Sequence, residues 1–419
     1  MTDSDLGEHS DQAQSWEAQM RSLLEEGGYD IDLGIEMARD AQRLVAGELS
    51  EQEFHERYHA AVTEEFGTDE RPVATDEPSA SFVELLTGEC SGGEDPSRRE
   101  VVKALGVAGG ALGLGGMAVA DQQRTSTQAA ADGPDEPDIQ YGMVVDLERC
   151  DGCLQCVTAC ADENQTSNGA NWMYVLAYLD EHTEQENFLV RPCQHCSNAP
   201  CEKVCPVRAR HTREQDGIVL TDYDACIGCR YCQVACPYGV NYFQWGDPEV
   251  SEEELDPNHI WDARGMRVDS RPPKGVMGKC TFCPTRQDGL QGEDKVGTVA
   301  CMDACDAAGM RAIHFGDLNN PESRPRRYLR ERAAEELDDD TDLDMDADWA
   351  TSTTRWRKLS AFRLLEDLGT EPNVIYLGNQ PGERADQQEG PVPYDLIGRV
   401  DRRKDVLDER TVGITGGDD

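Results

Sequence analysis

"CIGCRYCQVACPYG" (residues 226–239) places four cysteines within eleven residues, spaced C-x2-C-x2-C-x3-C, with Pro237 after the last. Related spacings recur along the chain. The first group is Cys150, Cys153, Cys156 and Cys160; the second is Cys193, Cys196, Cys201 and Cys205. The third is Cys226, Cys229, Cys232 and Cys236; the fourth is Cys280, Cys283, Cys301 and Cys305. Every group begins C-x2-C and ends C-x3-C, and only the gap between the halves varies. Of the 17 cysteines, Cys90 alone stands outside these groups and reads as a free thiol.

The repetition extends beyond cysteine. Asp146 and Asp222 each precede a first cysteine by four residues, Gly152 and Gly228 precede a second, and Ala159 and Ala235 precede a fourth. "YGMVV" (141–145) and "GIVL" (217–220) read as short strands entering the two loops. Groups one and three are therefore expected to be copies of one unit, within an α+β, duplicated ferredoxin-like βαβ-type domain. A glycine beside a ligand suits a backbone that must approach a bulky cofactor closely.

Three chemistries compete for such cysteines. Disulfides suit an even count, but cysteines two residues apart are poor partners for one another. Zinc favours paired C-x2-C knuckles, often with histidine. Three cysteines on one tight loop suit three corners of an iron–sulfur cube, with the fourth turned towards a neighbouring cluster; this is the bacterial ferredoxin run C-x2-C-x2-C-x3-C-P. Sixteen ligands divide into four [4Fe–4S] clusters with none to spare. Pairing stays open here. Chain order joins group one with two and three with four, whereas Pro206 and Pro237, after Cys205 and Cys236, join two with three and leave one with four.

Composition narrows the setting. Asp plus Glu number 83 against 39 Lys plus Arg, a formal charge of −44, which argues against a nucleic-acid partner. The acid runs through every segment and suits a halophilic surface, where salt screens self-repulsion. Aromatics are 6% and hydrophobics 38%, thin for a core of side chains alone, so metal centres are expected to help hold the cysteine region together. No run of about 20 apolar residues ends the chain, so no C-terminal membrane anchor is expected.

Residues 1–70 read as a small helical domain. Ser50 and Glu53 form a capping box, and Phe54, Tyr58, Ala61, Val62 and Phe66 fall on one helical face. His55-Glu56-Arg57-Tyr58-His59 matches the H-E-x-x-H zinc-protease pattern. The short unit leaves no room for a protease fold, and the two histidines read as surface residues. An acidic linker follows (71–96). "SRREVVKALGVAGGALGLGGMAVA" (97–120) then resembles a twin-arginine export signal, with Ala118-Val119-Ala120 as its cleavage site. After a linker (121–139), the cysteine domain spans 140–320. A C-terminal extension (321–419) holds an acidic loop (333–348) and a helix followed by an extended segment (359–378).

"VVDLERCDGCLQCVTACADEN", "RPCQHCSNAPCEKVCP", "DACIGCRYCQVACPYG" and "KCTFCPTR" resemble the iron–sulfur, electron-transfer subunits of the dimethyl-sulfoxide reductase family of molybdopterin oxidoreductases. The resemblance covers residues 140–320 and includes four-cluster types that carry their own export signal. It implies nested ligation. Cys150, Cys153, Cys156 and Cys305 would hold one cluster; Cys160, Cys280, Cys283 and Cys301 its neighbour. Cys205, Cys226, Cys229 and Cys232 would hold a third, and Cys193, Cys196, Cys201 and Cys236 a fourth.

The resemblance also implies partners: a molybdopterin catalytic subunit, a quinone-linked membrane subunit and the twin-arginine machinery. It places the chain peripherally on the outer face of the cytoplasmic membrane and gives it no active site of its own. The alternatives are an electron-transfer partner of a nickel–iron hydrogenase and a zinc-stabilised scaffold. His195 and Lys279, beside expected ligands, read as solvent-edge residues rather than groups that tune a cluster.

Overall fold

The computed structural model describes residues 18–72, 139–179, 186–335, 361–382, 385–401 and 414–415, apart from positions 19, 26 and 379. All of them belong to one compact unit, Met1–Val73 together with Pro137–Asp419. The twin-arginine-like segment, Cys90 and the acidic loop beyond residue 335 lie outside the described residues.

A helical stretch at residues 20–25 precedes two longer helices in the N-terminal part. Helix α1 (Ile31–Val45) starts at Asp30, whose carboxylate accepts from the Leu33 amide. Helix α2 (Glu51–Phe66) starts with the reciprocal Ser50–Glu53 box and stops at Gly67, where φ is 74°. A cap of this kind contributes about 1 kcal/mol. Phe54, Tyr58 and Val62 are buried as the periodicity requires, while Ala61 is exposed. Asp40 of α1 is buried and accepts hydrogen bonds from Tyr58 Oη (2.8 Å), Arg43 (3.0 Å) and Arg57. A buried carboxylate with three donors is satisfied rather than costly.

The cysteine body is α+β, with small helices and sheets. Strand β1 (Tyr141–Asp146) pairs in parallel with β10 (Val374–Leu377) and antiparallel with β8 (Ile313–Asp317); β9 (Ala361–Phe362) extends the sheet. All six residues of β1 are buried because both faces are covered. Val144 packs with Tyr328 and Leu329 of helix α8 (Arg324–Glu335), while Met143 and Val145 face the main core with the cysteines. This is the period-two alternation of a strand between two layers. A second sheet has the order β12-β11-β2-β3, from Ile414–Thr415, Ala385–Gln388, Tyr174–Leu179 and Glu186–Arg191. The β4–β5 hairpin (Arg210–Thr212, Val219–Thr221) and the antiparallel pair β6–β7 (Tyr242–Phe243, Met277–Gly278) complete the strands among the described residues.

One expected element differs. Between β9 and β10 there is no α-helix, only the 3-10 turn Glu366–Leu368. Leu365, Gly369 and Glu371 all take positive φ, which breaks the helical path on either side of the turn.

Candidate metal centre

The loops carrying cysteines one to three of groups one and three share their backbone. Asp146 and Asp222 each accept an amide two residues on, from Glu148 (3.1 Å) and Asp224 (3.0 Å). Gly152 and Gly228 both have φ of 72°, and the next non-glycine turn residues, Leu154 and Arg230, have φ of 58° and 65°. A Cβ on Gly228 would clash with the Gly275 carbonyl oxygen, and one on Gly152 with the Phe188 ring. Those left-handed positions curl three cysteines around a common centre.

Helices then divide the remaining cysteines. In α3 (Gln155–Asn164), Cys156 and Cys160 lie one turn apart; in α7 (Ala300–Ala307), so do Cys301 and Cys305. Cys201 lies in α4 (Pro200–Lys203) with Cys205 just beyond it. Cys232 lies in α5 (Tyr231–Ala235), which Cys236 caps. Four residues of helix advance about 6 Å, which leaves the two cysteines of a C-x3-C pair free to face different neighbours. C-x2-C pairs, on curled loops, stay at one centre.

The buried thiols gather accordingly. Cys156 is surrounded electrostatically by Cys150, Cys305 and Cys153. Cys301 is surrounded by Cys160, Cys280 and Cys283. Cys196 neighbours Cys193, Cys201 and Cys236, and Cys229 neighbours Cys232, Cys205 and Cys226. Two of these sets line cavities. One cavity is walled by Cys205, Cys226, Cys229 and Cys232, the other by Cys160, Cys280, Cys283 and Cys301. Interactions between sets string them in order: Cys301 also feels Cys156, Cys280 feels Cys193, and Cys201 feels Cys232. The order is the Cys150 set, the Cys160 set, the Cys193 set and the Cys226 set.

The surroundings fit an anionic, sulfur-ligated group. All sixteen cysteines are free thiols, and burial pushes Cys150, Cys205 and Cys280 up to about 12. Neutral thiols would leave nearby cations uncompensated. The Arg191 guanidinium is fully buried, and none of its three nitrogens finds a hydrogen-bond acceptor among the described residues. Arg210 is equally buried: its Nη2 lies 3.6 Å from Cys232 Sγ and donates to Asn241 (2.8 Å), while its charge also feels Cys201 and Cys193. A buried charge is expensive unless opposed, and thiolates bound to iron would oppose these. Backbone amides already point at sulfur: Arg210 N at Cys205 (3.3 Å), Ala312 N at Cys305 (3.2 Å) and His195 N at Cys193 (3.4 Å).

His195 and Lys279 are not at a solvent edge. His195 is fully buried, stacked 3.7 Å from Phe282, and its Nδ1 accepts from the Val219 amide (3.1 Å). Burial, reinforced by Lys279, holds it well below the ordinary histidine range. Lys279 donates to the carbonyls of Val219 (2.5 Å) and Cys280 (2.9 Å). The β4–β5 hairpin and the Cys280 loop close over both side chains, a long-range closure that local sequence does not reveal. Arg191 and Arg210 carry no signal in the cysteine spacing. Arg191 directly precedes Pro192-Cys193, which is the one local hint of its place; Arg210 sits on a strand with none.

The segment before α1, together with Phe66 of α2, covers the outer side of the Cys226 loop. Tyr29 Oη donates to the Ile227 carbonyl (3.2 Å), Tyr231 Oη to the Asp30 carbonyl (2.5 Å), and Arg230 Nη2 to the Leu24 carbonyl (3.2 Å). Phe66 meets the Tyr231 ring edge-on at 5.5 Å.

Comparison with known proteins points to iron–sulfur binding. Residues 11–74 match a model described as the N-terminal region of 4Fe-4S ferredoxin iron-sulfur binding, and residues 185–253 match a 4Fe-4S dicluster domain. A Halobacterium salinarum protein, assigned as an iron-sulfur subunit of dimethyl sulfoxide reductase, is 32% identical across 67% of this chain and 99% of its own length. The chain belongs to the iron–sulfur subunit family related to dimethyl sulfoxide reductase. A selenate reductase subunit from Mesobacillus selenatarsenatis is 36% identical over 57% of this chain and 72% of its own length. The iron-sulfur cluster-binding subunit of Nitratidesulfovibrio vulgaris menaquinone reductase is 34% identical over 58% and 90%. As a family member, the chain is an electron-transferring iron–sulfur subunit of a respiratory oxidoreductase complex. No helix among the described residues is long and apolar enough to cross a membrane.

Proposed function

We propose that the chain relays single electrons through four [4Fe–4S] clusters, joining a quinone-linked membrane subunit to a molybdopterin catalytic subunit. The observation that carries this is the gathering of sixteen thiols into four sets in a row. The ligand sets are those at Cys150/Cys153/Cys156/Cys305, Cys160/Cys280/Cys283/Cys301, Cys193/Cys196/Cys201/Cys236 and Cys205/Cys226/Cys229/Cys232. The clusters, when bound, supply the one-electron chemistry. The chain's own residues bury the clusters, direct amides at sulfur, and set Arg191 and Arg210 against their charge.

The matched loops around Gly152 and Gly228 support duplication of one ferredoxin-like unit. Relatives named for menaquinone reductase and for dimethyl sulfoxide reductase support the two kinds of partner. The Arg98-Arg99 segment supports export by the twin-arginine route to the outer face of the membrane, because that route accepts a chain already folded around its clusters. The acidic composition supports a salt-rich setting.

The test is elemental. Anaerobically purified chain is expected to hold about sixteen irons and as many acid-labile sulfides, as four cubes require, with reducible low-temperature paramagnetic signals. About eight irons, or zinc in their place, would sink the four-cluster reading. Export is tested separately: lysine at both Arg98 and Arg99 is expected to retain the chain in the cytoplasm, and unchanged export would remove the twin-arginine assignment.

A further inference from the structure

The two histidines of α2 have a partner that the sequence pattern does not announce. His55 and His59 stack with ring centroids 5.0 Å apart, as i, i+4 placement on a helix allows. Asp69, on the segment after the helix, turns back between them. Its Oδ2 lies 3.4 Å from His55 Nε2 and 2.9 Å from His59 Nδ1, and its side chain is fully buried. One donor atom from each of the three falls within 4.8 Å of the others. A tetrahedral zinc-like ion with bonds of about 2.0–2.1 Å spaces its ligand atoms by roughly 3.3 Å. The His55–Asp69 edge already has that spacing, and the His59 edge needs to open by a few tenths of an ångström as a metal replaces the shared proton.

The surrounding groups hold the carboxylate in place. Arg71 grips Asp69 through Nε to Oδ1 and Nη2 to Oδ2, both at 2.7 Å, and its guanidinium is pinned over the Phe54 ring at 5.4 Å. A ligand carboxylate held by a hydrogen-bond donor is the usual second layer of a metal site, and here one of the two donors shares Oδ2 with the histidines. The Arg71 charge opposes a cation, which sets affinity below that of a closed structural site. Glu56, the expected base of the H-E-x-x-H pattern, is exposed and bonded to Gln52 (2.9 Å). Among the three donors, Asp69 takes the remaining place.

We propose that His55, His59 and Asp69 form a further, sulfur-free site for a divalent transition ion of the zinc class, with one position left to water. The bound ion staples residues 68–71 to α2. That segment also touches the cysteine body, since the Glu70 amide donates to the carbonyl of Pro206, next to Cys205. The site is therefore a brace for the helical pair, separate from the relay and independent of its assignment.

The test uses the full-length, iron-loaded chain, incubated with Zn2+ and desalted. About one zinc per chain is expected in addition to iron, with a nitrogen/oxygen shell at about 2.0–2.1 Å in zinc-edge X-ray absorption. The His55→Ala/His59→Ala variant is expected to lose at least nine-tenths of that zinc, on the order of a tenfold effect, with iron content and paramagnetic signals unchanged. His59→Gln, at a half-exposed position, serves as a milder variant should the double substitution disturb folding. Zinc retained equally by these variants, a sulfur shell near 2.3 Å, or no zinc after desalting would each overturn the proposal.

Discussion

The loops at Cys150–Cys156 and Cys226–Cys232 share a backbone and differ in what lies over them. The first turns against β3, where Phe188 meets Gly152. The second is roofed by the N-terminal helices. Two of the equivalent residues that differ supply the side chains that meet the roof: Leu154 becomes Arg230 and Gln155 becomes Tyr231. The constant positions curl the cysteines, and the variable ones choose neighbours. One metal-binding turn thus serves two places in a row of centres, and its surroundings set exposure and charge, both of which tune cluster potentials.

The largest effect should come from the ligands. Cys156→Ser and Cys232→Ser are each expected to remove a set's cluster, about four irons per chain; full iron in either variant would break the equivalence of the loops. Next come the glycines. Gly228→Ala presses a methyl group on the Gly275 carbonyl, which cannot rotate away, whereas Gly152→Ala meets the Phe188 ring, which can. Left-handed alanine alone costs about 1–2 kcal/mol, so Gly228→Ala should destabilise well beyond that and Gly152→Ala stay near it. Equal losses in chemical denaturation would show that the neighbours do not matter.

Arg230→Leu combined with Tyr231→Gln rewrites the third loop as the first. It removes hydrogen bonds worth about 1–3 kcal/mol each, and limited proteolysis should then release residues 18–72 while iron is retained. An unchanged digestion pattern would move the docking energy elsewhere. Arg210→Gln withdraws a buried positive charge from between the Cys193 and Cys226 sets. Their midpoints should fall by on the order of 60 mV for each tenfold in the reduction equilibrium, with those of the Cys150 set unmoved; a uniform shift would mean a general structural change.

The smallest effect concerns acid. Burial would raise the Asp40 carboxyl, but hydrogen bonds from Tyr58, Arg57 and Arg43 outweigh it and hold the group below its ordinary value. A depressed folded value contributes stability above the unfolded pKa of about 3.9, lost as pH falls through the folded one. Helicity of residues 18–72 should therefore weaken below about pH 4 in the parent, and Asp40→Asn should flatten that dependence. An identical acid profile in the variant would dismiss Asp40 as its source.

Much of the centre is legible because metal-binding turns are local. Spacing, the two glycines and the flanking strands are all read from short windows. Ser50 and Glu53 announce a helix start for the same reason, since a cap is a short-range hydrogen bond. What the sequence does not decide is everything made by chain closure. Prolines and chain order leave the pairing of the four groups between two schemes, and the thiols gather only once α3 meets α7 and α4 meets α5. His195 and Lys279 read as exposed, yet the β4–β5 hairpin and the Cys280 loop close over them. The 361–378 segment keeps helical composition and yields to left-handed residues on both sides of its turn. Asp69 joins His55 and His59 because the chain reverses after Gly67, and Arg210 reaches Cys232 from a strand 22 residues away. Local backbone chemistry writes the donors; burial, which no window of sequence contains, decides their neighbours and their charge.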